Sequence, residues 1–276
     1  ISALAGILEV FTALLLGSLI DKAISAGPTD FFYNHLVYII GFVAFFIVIR
    51  PLAFGMSSAA NAIFVTPNIN PLVLSRLHRW TMGQAVTFFD EDFAGRIAQK
   101  QMQTSRALTD VVTEIVNVGA FSLASLVGSV LLLVTIDLRM SGVLIVWLIL
   151  YLLLIKAFLP KVRRQSAERA GARANVSGQV VDTITNIKTV KLFSHAEHED
   201  HVALKSMEVF RRKAISFGIT SAVFRLCLMT IAGILPVALI GGTVFLWSNG
   251  NASIGEITAS GAVAIRIAQM TGWVSF

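Results

Sequence analysis

Charged side chains inside apolar segments are the residues of this sequence with the clearest potential for chemistry. Glu9, Arg50 and Arg266 each lie within such a segment. A charge inside a membrane-spanning helix is costly, and it usually faces a polar cavity or pairs with an opposite charge. Two interpretations stay open. In the first, the three residues line a substrate cavity that receives an anionic or amphipathic molecule, and this interpretation is favoured for Arg266. In the second, Glu9 forms a structural ion pair with Arg50 or Arg266.

An acidic and aromatic segment lies between two long apolar regions. It reads Phe88-Phe89-Asp90-Glu91-Asp92-Phe93. Adjacent acids among phenylalanines suit neither lipid nor a plain linker, whereas aromatic anchors with a polar rim are typical of protein interfaces. We predict a docking tip whose contacts come from Phe88, Phe89, Asp90, Glu91 and Asp92. The alternative is a surface turn with solvated acids.

A second polar segment, Ser194–His201, is the most polar window of the chain. We predict a second docking tip there, with contacts from Ser194, His195 and Glu197. The histidines of this window recur at three-residue spacing, at His195, His198 and His201. Metal binding is therefore an alternative. The spacing matches no known metalloenzyme motif, so a solvated docking tip is favoured and no metal site is assigned.

These residues are embedded in a sequence with the composition of a membrane protein. Hydrophobic residues make up 55% of the chain and charged residues 14%, where a soluble domain has about 25% charged residues. Crossing a bilayer takes roughly 20 apolar residues. Six segments meet that length, approximately Ile1–Ile20, Leu36–Val65, Val111–Ile136, Met140–Ile155, Ala214–Trp247 and Ile254–Phe276. The sequence predicts an all-α membrane protein with six transmembrane helices, packed closely through glycines such as Gly17 and Gly41.

Basic residues are concentrated in two of the connections between the spans. The connections after spans two and four are long and rich in Lys and Arg, whereas the three opposite loops are short and carry only Lys22 and Arg139. The positive-inside rule therefore places the long connections and both chain ends in the cytoplasm. The minimal outer loops favour a bacterial inner membrane. This asymmetry accounts for the net charge of +6, and we expect a lipid bilayer but no nucleic acid as a partner.

The long inner connections have the pattern of helices. In the second one, apolar residues recur with helical spacing, at Val180, Ile184, Ile187, Val190 and Phe193. One helix over Ala94–Ile136 would be roughly 64 Å long, about twice the hydrocarbon thickness of a bilayer. We therefore expect long cytoplasmic helical extensions with the two docking tips at their far ends.

Three sequence segments and the spacing of the spans resemble one known family. The segments are Leu77-His78-Arg79-Trp80 with Phe88-Phe89 and Gly95-Arg96-Ile97, then Asp182 and Asn186–Phe193 with Glu197, and finally Ser253-Ile254-Gly255-Glu256-Ile257-Thr258. In this order, with long inner and short outer connections, they resemble the transmembrane domain of an ATP-binding-cassette (ABC) exporter, similar to bacterial multidrug and lipid exporters. The resemblance covers essentially all of residues 1–276, as one such domain that looks truncated at both ends.

The resemblance implies a function and a set of partners. The docking tips would be coupling helices seated on nucleotide-binding domains, and such a domain, with ATP and Mg²⁺, is expected after residue 276. No cofactor is expected in this chain, which lacks a GxxxxGK[ST] loop. Two transmembrane subunits, identical or different, would move a lipidic, amphipathic or peptide-like substrate out of the cytoplasm by alternating access. The alternatives are a secondary active transporter, and a membrane scaffold or receptor that docks a cytoplasmic partner.

One stretch departs from the family pattern. Thr66-Pro67-Asn68-Ile69-Asn70-Pro71 places two prolines where the family has one continuous second helix. Each proline removes a helical hydrogen bond and disfavours helix at the residue before it. We expect a break or a sharp kink at this point.

Overall fold

Helices account for nearly all of the chain in the computed structural model, which describes residues 2–90, 94–192 and 196–274. No strand occurs in these ranges, so the predicted all-α class is confirmed. The α-helices are α1 (Ser2–Asn34), α2 (Leu36–Ala44), α3 (Arg50–Ala60), α4 (Thr66–Met82), α5 (Val86–Asp90), α6 (Ala94–Glu114), α7 (Ala120–Ile136), α8 (Leu138–Thr185), α9 (Ile187–Leu192), α10 (Ala196–Ser248) and α11 (Ile254–Val274).

Within the described ranges, five helical stretches are long and apolar enough to cross a membrane. They are Ser2–Gly27, Leu36–Met82, Ile97–Ile136, Leu138–Thr185 and Glu199–Ser248. The sixth predicted span corresponds to α11, a helix of 21 residues that includes Glu256 and Arg266. Within the described residues, the first five predicted spans therefore lie in helices that are apolar enough to cross a membrane, whereas α11 is helical but not among those five.

The predicted break at Pro67 and Pro71 is wrong. Helical structure is continuous over the 47 residues of Leu36–Met82. A π-helical turn, Asn61–Val65, ends directly before α4, and Pro67 lies in the first turn of that helix. Proline is tolerated inside this continuous helix because a local π adjustment re-satisfies the backbone groups that proline frees. The wider π turn is a local adjustment that keeps the chain helical on both sides of the register change.

The predicted long helices of the inner connections are confirmed. A π turn over Phe45–Ile49 joins α2 to α3, and another over Ile115–Gly119 joins α6 to α7 without interruption. The 40 residues of Ile97–Ile136 span about 60 Å at 1.5 Å per residue. In the second connection, α8 continues to Thr185 and α9 covers Ile187–Leu192. The apolar stripe is therefore helical as far as Val190, as predicted, and Phe193 lies outside the described residues.

The chain divides into two compact units. The first comprises Ile1–Leu144 and Pro236–Met270, and the second comprises Ile145–Leu235 and Thr271–Phe276. In the first unit α1 packs along α7. Its core includes leucine and alanine side chains with no exposed surface, at Leu133, Leu144, Leu239 and Ala264.

In the second unit, α8 and α10 are joined by contacts of three kinds. The indole Nε1–H of Trp147 donates to a backbone carbonyl of α10 at 2.6 Å. Phe158 and Phe224 stack with ring centroids 5.2 Å apart. Beyond the predicted spans, Lys213 Nζ donates to Glu168 Oε2 at 2.7 Å, and this hydrogen bond lowers the pKa of the Glu168 carboxyl. The two helices are therefore paired both inside and outside the predicted membrane region.

Candidate functional site

Three of the predicted site residues come together within the first unit. The Glu9 side chain on α1 is only 5% exposed and contacts two arginines. Arg50 donates from Nε and Nη2 to Glu9 Oε1 at 3.2 and 2.9 Å. Arg266 places its Nε 3.4 Å from Glu9 Oε2. Both pairings considered from the sequence thus occur at once, and Glu9, Arg50 and Arg266 are called the ion cluster below.

Two phenylalanines flank the arginines of the ion cluster. The Arg50 guanidinium lies over the Phe54 ring, 5.7 Å from its centroid, and the Arg266 guanidinium lies 5.5 Å from the centroid of Phe121. The two rings are themselves in contact, with centroids 6.1 Å apart. Because a guanidinium is attracted to the face of an aromatic ring, each arginine is oriented by the carboxylate and by a ring.

The helix of Glu9, α1, approaches α7 closely at glycines. A Cβ atom on Gly6 would lie 2.5 Å from the Phe121 carbonyl oxygen, and one on Gly128 would lie 2.8 Å from Val10 Cγ2. No side chain can be accommodated at such distances without a shift of the backbone or of a neighbour. The glycines therefore set the spacing between α1 and α7 around Glu9.

A cavity of about 240 Å³ lies beside the ion cluster. Glu9 and Arg266 line it, whereas Arg50 is not among its lining residues. The other lining side chains are polar or aliphatic, at Val10, Thr12, Ala13, Ser125, Ser129, Ala262, Val263, Ile265 and Gln269. Pockets for drug-sized molecules measure about 300–1,000 Å³. This cavity is smaller, so it can hold a polar group and a short apolar stretch.

A second polar contact joins α1 to α11, and sequence reasoning missed it. Asp21 accepts hydrogen bonds from Ser253 Oγ and from the Gly255 backbone N–H, both at 2.7 Å. Ser253 and Glu256 also bond to each other's backbone N–H groups, at 3.0 and 2.7 Å. This is the capping-box pattern, which could have been found in the sequence. We call the contacts of Asp21 the Asp21 latch. It fixes the helix of Glu9 against the helix of Arg266.

The first docking tip is partly described. Phe88 packs edge-to-face on Trp80, with centroids 6.1 Å apart. Phe89 is 41% exposed, and Asp90 is exposed at the end of α5. Phe88 thus anchors the tip on its own unit, while Phe89 and Asp90 are accessible to a partner. Glu91 and Asp92 lie outside the described residues.

The helices behind this tip are joined by buried polar contacts. Ser105, which has no exposed surface, donates to the backbone carbonyl and to Oδ1 of Asn70 at 2.7 and 2.6 Å. Nearer the tip, Gln101 Nε2 donates to Thr81 Oγ1 at 2.7 Å. These bonds set the register of α4 against α6 and so position α5.

The second docking tip is not placed by the structure. Ser194, His195 and the Glu197 side chain lie outside the described residues, as does the His198 side chain. In the chain segment that leads to this tip, where α8 is followed by α9, Asn186 donates a hydrogen bond to Asp182 Oδ1 at 3.0 Å. The assignment of this tip therefore stays a prediction.

The long apolar helices define an integral membrane domain. Residues 1–268 match the ABC transporter transmembrane region. The chain belongs to this family, and its fold is that of an ABC exporter transmembrane domain.

Three similar proteins illustrate the match. An uncharacterized ABC transporter ATP-binding protein from Haemophilus influenzae is 28% identical over 98% of this chain and 44% of its own length. A putative multidrug export ATP-binding/permease protein from Staphylococcus aureus is 22% identical over 93% of this chain and 45% of its own length. The structure of a bacterial Atm1-family ABC exporter with ATP bound matches with a TM-score of 0.79 and 14% identity, over 99% of this chain and 49% of that structure. The chain spans less than half the length of these relatives.

Proposed function

We propose that this chain is the permease part of an ATP-driven exporter. One observation carries the proposal. This chain, which belongs to the ABC transporter family, has paired helices that are longer than a bilayer requires. Ile97–Ile136 alone spans about 60 Å, and α5 lies at the end of the helix that pairs with it. A helix pair of this length has no purpose in a domain confined to the membrane. It suits a lever that transmits motion from a cytoplasmic motor.

The motor would be a nucleotide-binding domain that uses ATP and Mg²⁺. The S. aureus relative, whose name joins ATP-binding and permease functions, supports a motor on the same polypeptide. The docking tips, with Phe88, Phe89, Asp90, Glu91 and Asp92 in the first and Ser194, His195 and Glu197 in the second, would seat on it. A second transmembrane subunit, identical or different, completes the transporter. The tips and both chain ends face the cytoplasm of a bacterium whose inner membrane holds the spans.

The substrate is a lipidic, amphipathic or peptide-like molecule, and transport proceeds by alternating access. The ion cluster of Glu9, Arg50 and Arg266 forms a polar part of the substrate cavity. Closure of the nucleotide-binding domains would switch the rigid helices between two packings, exposing the cavity first to the cytoplasm and then to the outside.

The proposal is tested on the full-length protein in proteoliposomes. ATP-dependent transport is measured for a panel of lipids, peptides and drugs, together with ATP hydrolysis. Transport of a panel member that needs ATP and ignores ion gradients is the expected result. Transport that follows an ion gradient without ATP would instead identify a secondary transporter. Absence of both activities would favour the scaffold.

A double variant tests the first docking tip. Phe89→Ala with Asp90→Ala should retain ATP hydrolysis but lose most of the coupled transport, because exposed anchors are removed without touching the packed Phe88. Phe32→Ala with Asp30→Ala is the matched control, since it removes an exposed Phe and an exposed Asp from the far part of α1. Normal transport by a well-folded tip variant would contradict the docking role.

A further inference from the structure

We infer that one face of α8 binds an anionic phospholipid, whose phosphate is held by Lys156 and Arg163 where the membrane span ends. The lipid stays beside the helix and is not the transported molecule. The inference rests on the proposed function only for the orientation that puts this end of the span at the cytoplasmic leaflet.

The face lies opposite the side of α8 that packs on α10. That packed side carries Trp147, Phe158 and Gln165, which contact the backbone of Ile231, the Phe224 ring and the Ser216 hydroxyl. At about 100° of rotation per residue, a second set of side chains falls on the other side of the helix. We call this set the lipid face, and its members are Ile145, Ile149, Leu152, Lys156 and Arg163.

The apolar part of the lipid face is open to its surroundings. The side chains of Ile145, Ile149 and Leu152 are 45%, 52% and 54% exposed, and they lie in a helix that is apolar enough to cross a membrane. Lipid tails are about as apolar as leucine. These aliphatic side chains therefore suit contact with the acyl chain of a phospholipid.

The two basic residues of the lipid face lie at the level of lipid headgroups. Counted from Leu138, the first residue of the apolar helix, the roughly 20 residues that cross a bilayer end near Phe158. Lys156 is within one turn of that boundary, and lysine side chains near a span end extend into the headgroup layer. Arg163 lies about 7 Å further along the helix, and helical side chains lean toward the N-terminus, here toward the membrane. One phosphate between the two can therefore meet both.

Both basic side chains are available to a ligand. Lys156 and Arg163 are exposed, and neither pairs with a carboxylate within the ranges that the structure describes. The first acid along α8, Glu168, is already engaged by Lys213 at 2.7 Å and by Arg164 at 3.7 Å. The positive charge of the lipid face is thus uncompensated, and each basic side chain near an anionic membrane surface strengthens binding about fivefold.

A second copy of the chain is the alternative occupant of this face. Two identical chains related by a two-fold axis bring the same surface together. Lys156 and Arg163 would then lie opposite the same basic residues of the other copy, and like charges in an interface weaken it. An anionic phospholipid, in contrast, matches both the apolar part and the charge of the lipid face.

The test measures lipid binding to the full-length protein in detergent, without ATP, by native mass spectrometry. The probes are palmitoyl-oleoyl phosphatidylglycerol and palmitoyl-oleoyl phosphatidylcholine, which have the same acyl chains and differ in net charge. Two basic residues at about fivefold each predict that the first phosphatidylglycerol binds at least tenfold more tightly than phosphatidylcholine.

Variants assign this binding to the lipid face. Lys156→Gln with Arg163→Gln should weaken the first phosphatidylglycerol at least tenfold, whereas Lys156→Arg with Arg163→Lys should keep the affinity because the charges remain. Lys188→Gln with Lys191→Gln is the matched control, since it removes two exposed positive charges from α9. Each variant must melt within a few degrees of the parent. The single variants, at about fivefold each, cover the case in which the double variant does not fold.

Three results would overturn the inference. The first is equal affinity of the parent protein for the two lipids. The second is the same affinity for phosphatidylglycerol in the folded double variant as in the α9 control. The third is a disulfide between two copies that carry Arg163→Cys with Cys227→Ser, because a second chain would then cover the face.

The outcome is separate from that of the proposed function. Because binding is measured without ATP, a protein that binds phosphatidylglycerol at this face but transports nothing would count against the proposed function alone. ATP-driven transport by a protein that shows no preference between the two lipids would count against this inference alone.

Discussion

Replacing Asp21 by alanine tests how firmly α1 is held to α11. The carboxylate accepts two hydrogen bonds of 2.7 Å, one from the Ser253 hydroxyl and one from the Gly255 backbone N–H in the first turn of α11. Hydrogen bonds to a charged group contribute about 1.5–3 kcal/mol each. A carboxylate at a helix N-terminus adds about 0.3–1 kcal/mol.

Partial exposure of Asp21 reduces the loss of folding stability that is expected from its replacement. Asp21 and Ser253 are neither fully buried nor fully exposed, so we take the lower end of the range, about 3 kcal/mol for the pair of bonds. At roughly 2–4 °C per kcal/mol for a large domain, Asp21→Ala should lower the melting midpoint by about 6–12 °C. Asp21→Asn should lose about half as much, because its amide oxygen still accepts one bond without the charge.

The assay is thermal melting of the full-length protein in detergent, followed by far-ultraviolet circular dichroism and by size-exclusion chromatography. Asp30→Ala is the control, since Asp30 is an exposed acid on the same helix. A midpoint for Asp21→Ala that matches the Asp30→Ala midpoint would refute the idea that the latch carries stability. An equal loss in Asp21→Asn and Asp21→Ala would refute the division of the effect between two bonds.

Three further substitutions test how the helices pack. Gly17→Ala would place a Cβ atom 2.5 Å from the Gly255 carbonyl oxygen, so overpacking should cost about 1–3 kcal/mol. The Cβ atom of Gly41→Ala meets no atom within 4 Å, so this variant should be neutral or stabilising by up to about 1 kcal/mol. Equal melting midpoints for Gly17→Ala and Gly41→Ala would contradict the predicted difference in packing. Ser105→Ala removes the buried bonds to Asn70 and should cost about 1–3 kcal/mol. Hydrogen exchange should then rise in α4 and α6, and unchanged exchange there would argue against the register role.

The helical architecture followed from the sequence because its signals are local. Runs of apolar residues, helical spacing from Val180 to Val190, and the unequal loop lengths each depend on neighbours along the chain. The membership of the ion cluster also followed, because any charge in an apolar helix needs a partner. The sequence left the choice between Arg50 and Arg266 open, since the rotation of each helix about its axis depends on packing. In the structure Glu9 contacts both.

The features that sequence reasoning missed depend on contacts between distant residues. Asp21 and Ser253 meet only after α1 and α11 have packed, and glycines allow that approach: Gly17 contacts Gly255 closely. Ser105 needs the carbonyl of Asn70 on another helix. The expected break at Pro67 was wrong for a related reason. A proline interrupts the hydrogen bonds of a regular α-helix, whereas here a π turn directly before it changes the register.

The π turns have a consequence for how this helix tolerates insertions and deletions. A π turn behaves as one extra residue absorbed within an α-helix, and one residue corresponds to about 100° of rotation. Deleting one residue within Asn61–Val65 would therefore convert the turn to regular helix and leave the direction in which α4 faces nearly unchanged, so that Asn70 still meets Ser105. A one-residue change that is not absorbed in such a turn would instead rotate α4 by that angle. The π turn is thus a place where the length of this helix can change by one residue without reorienting the first docking tip.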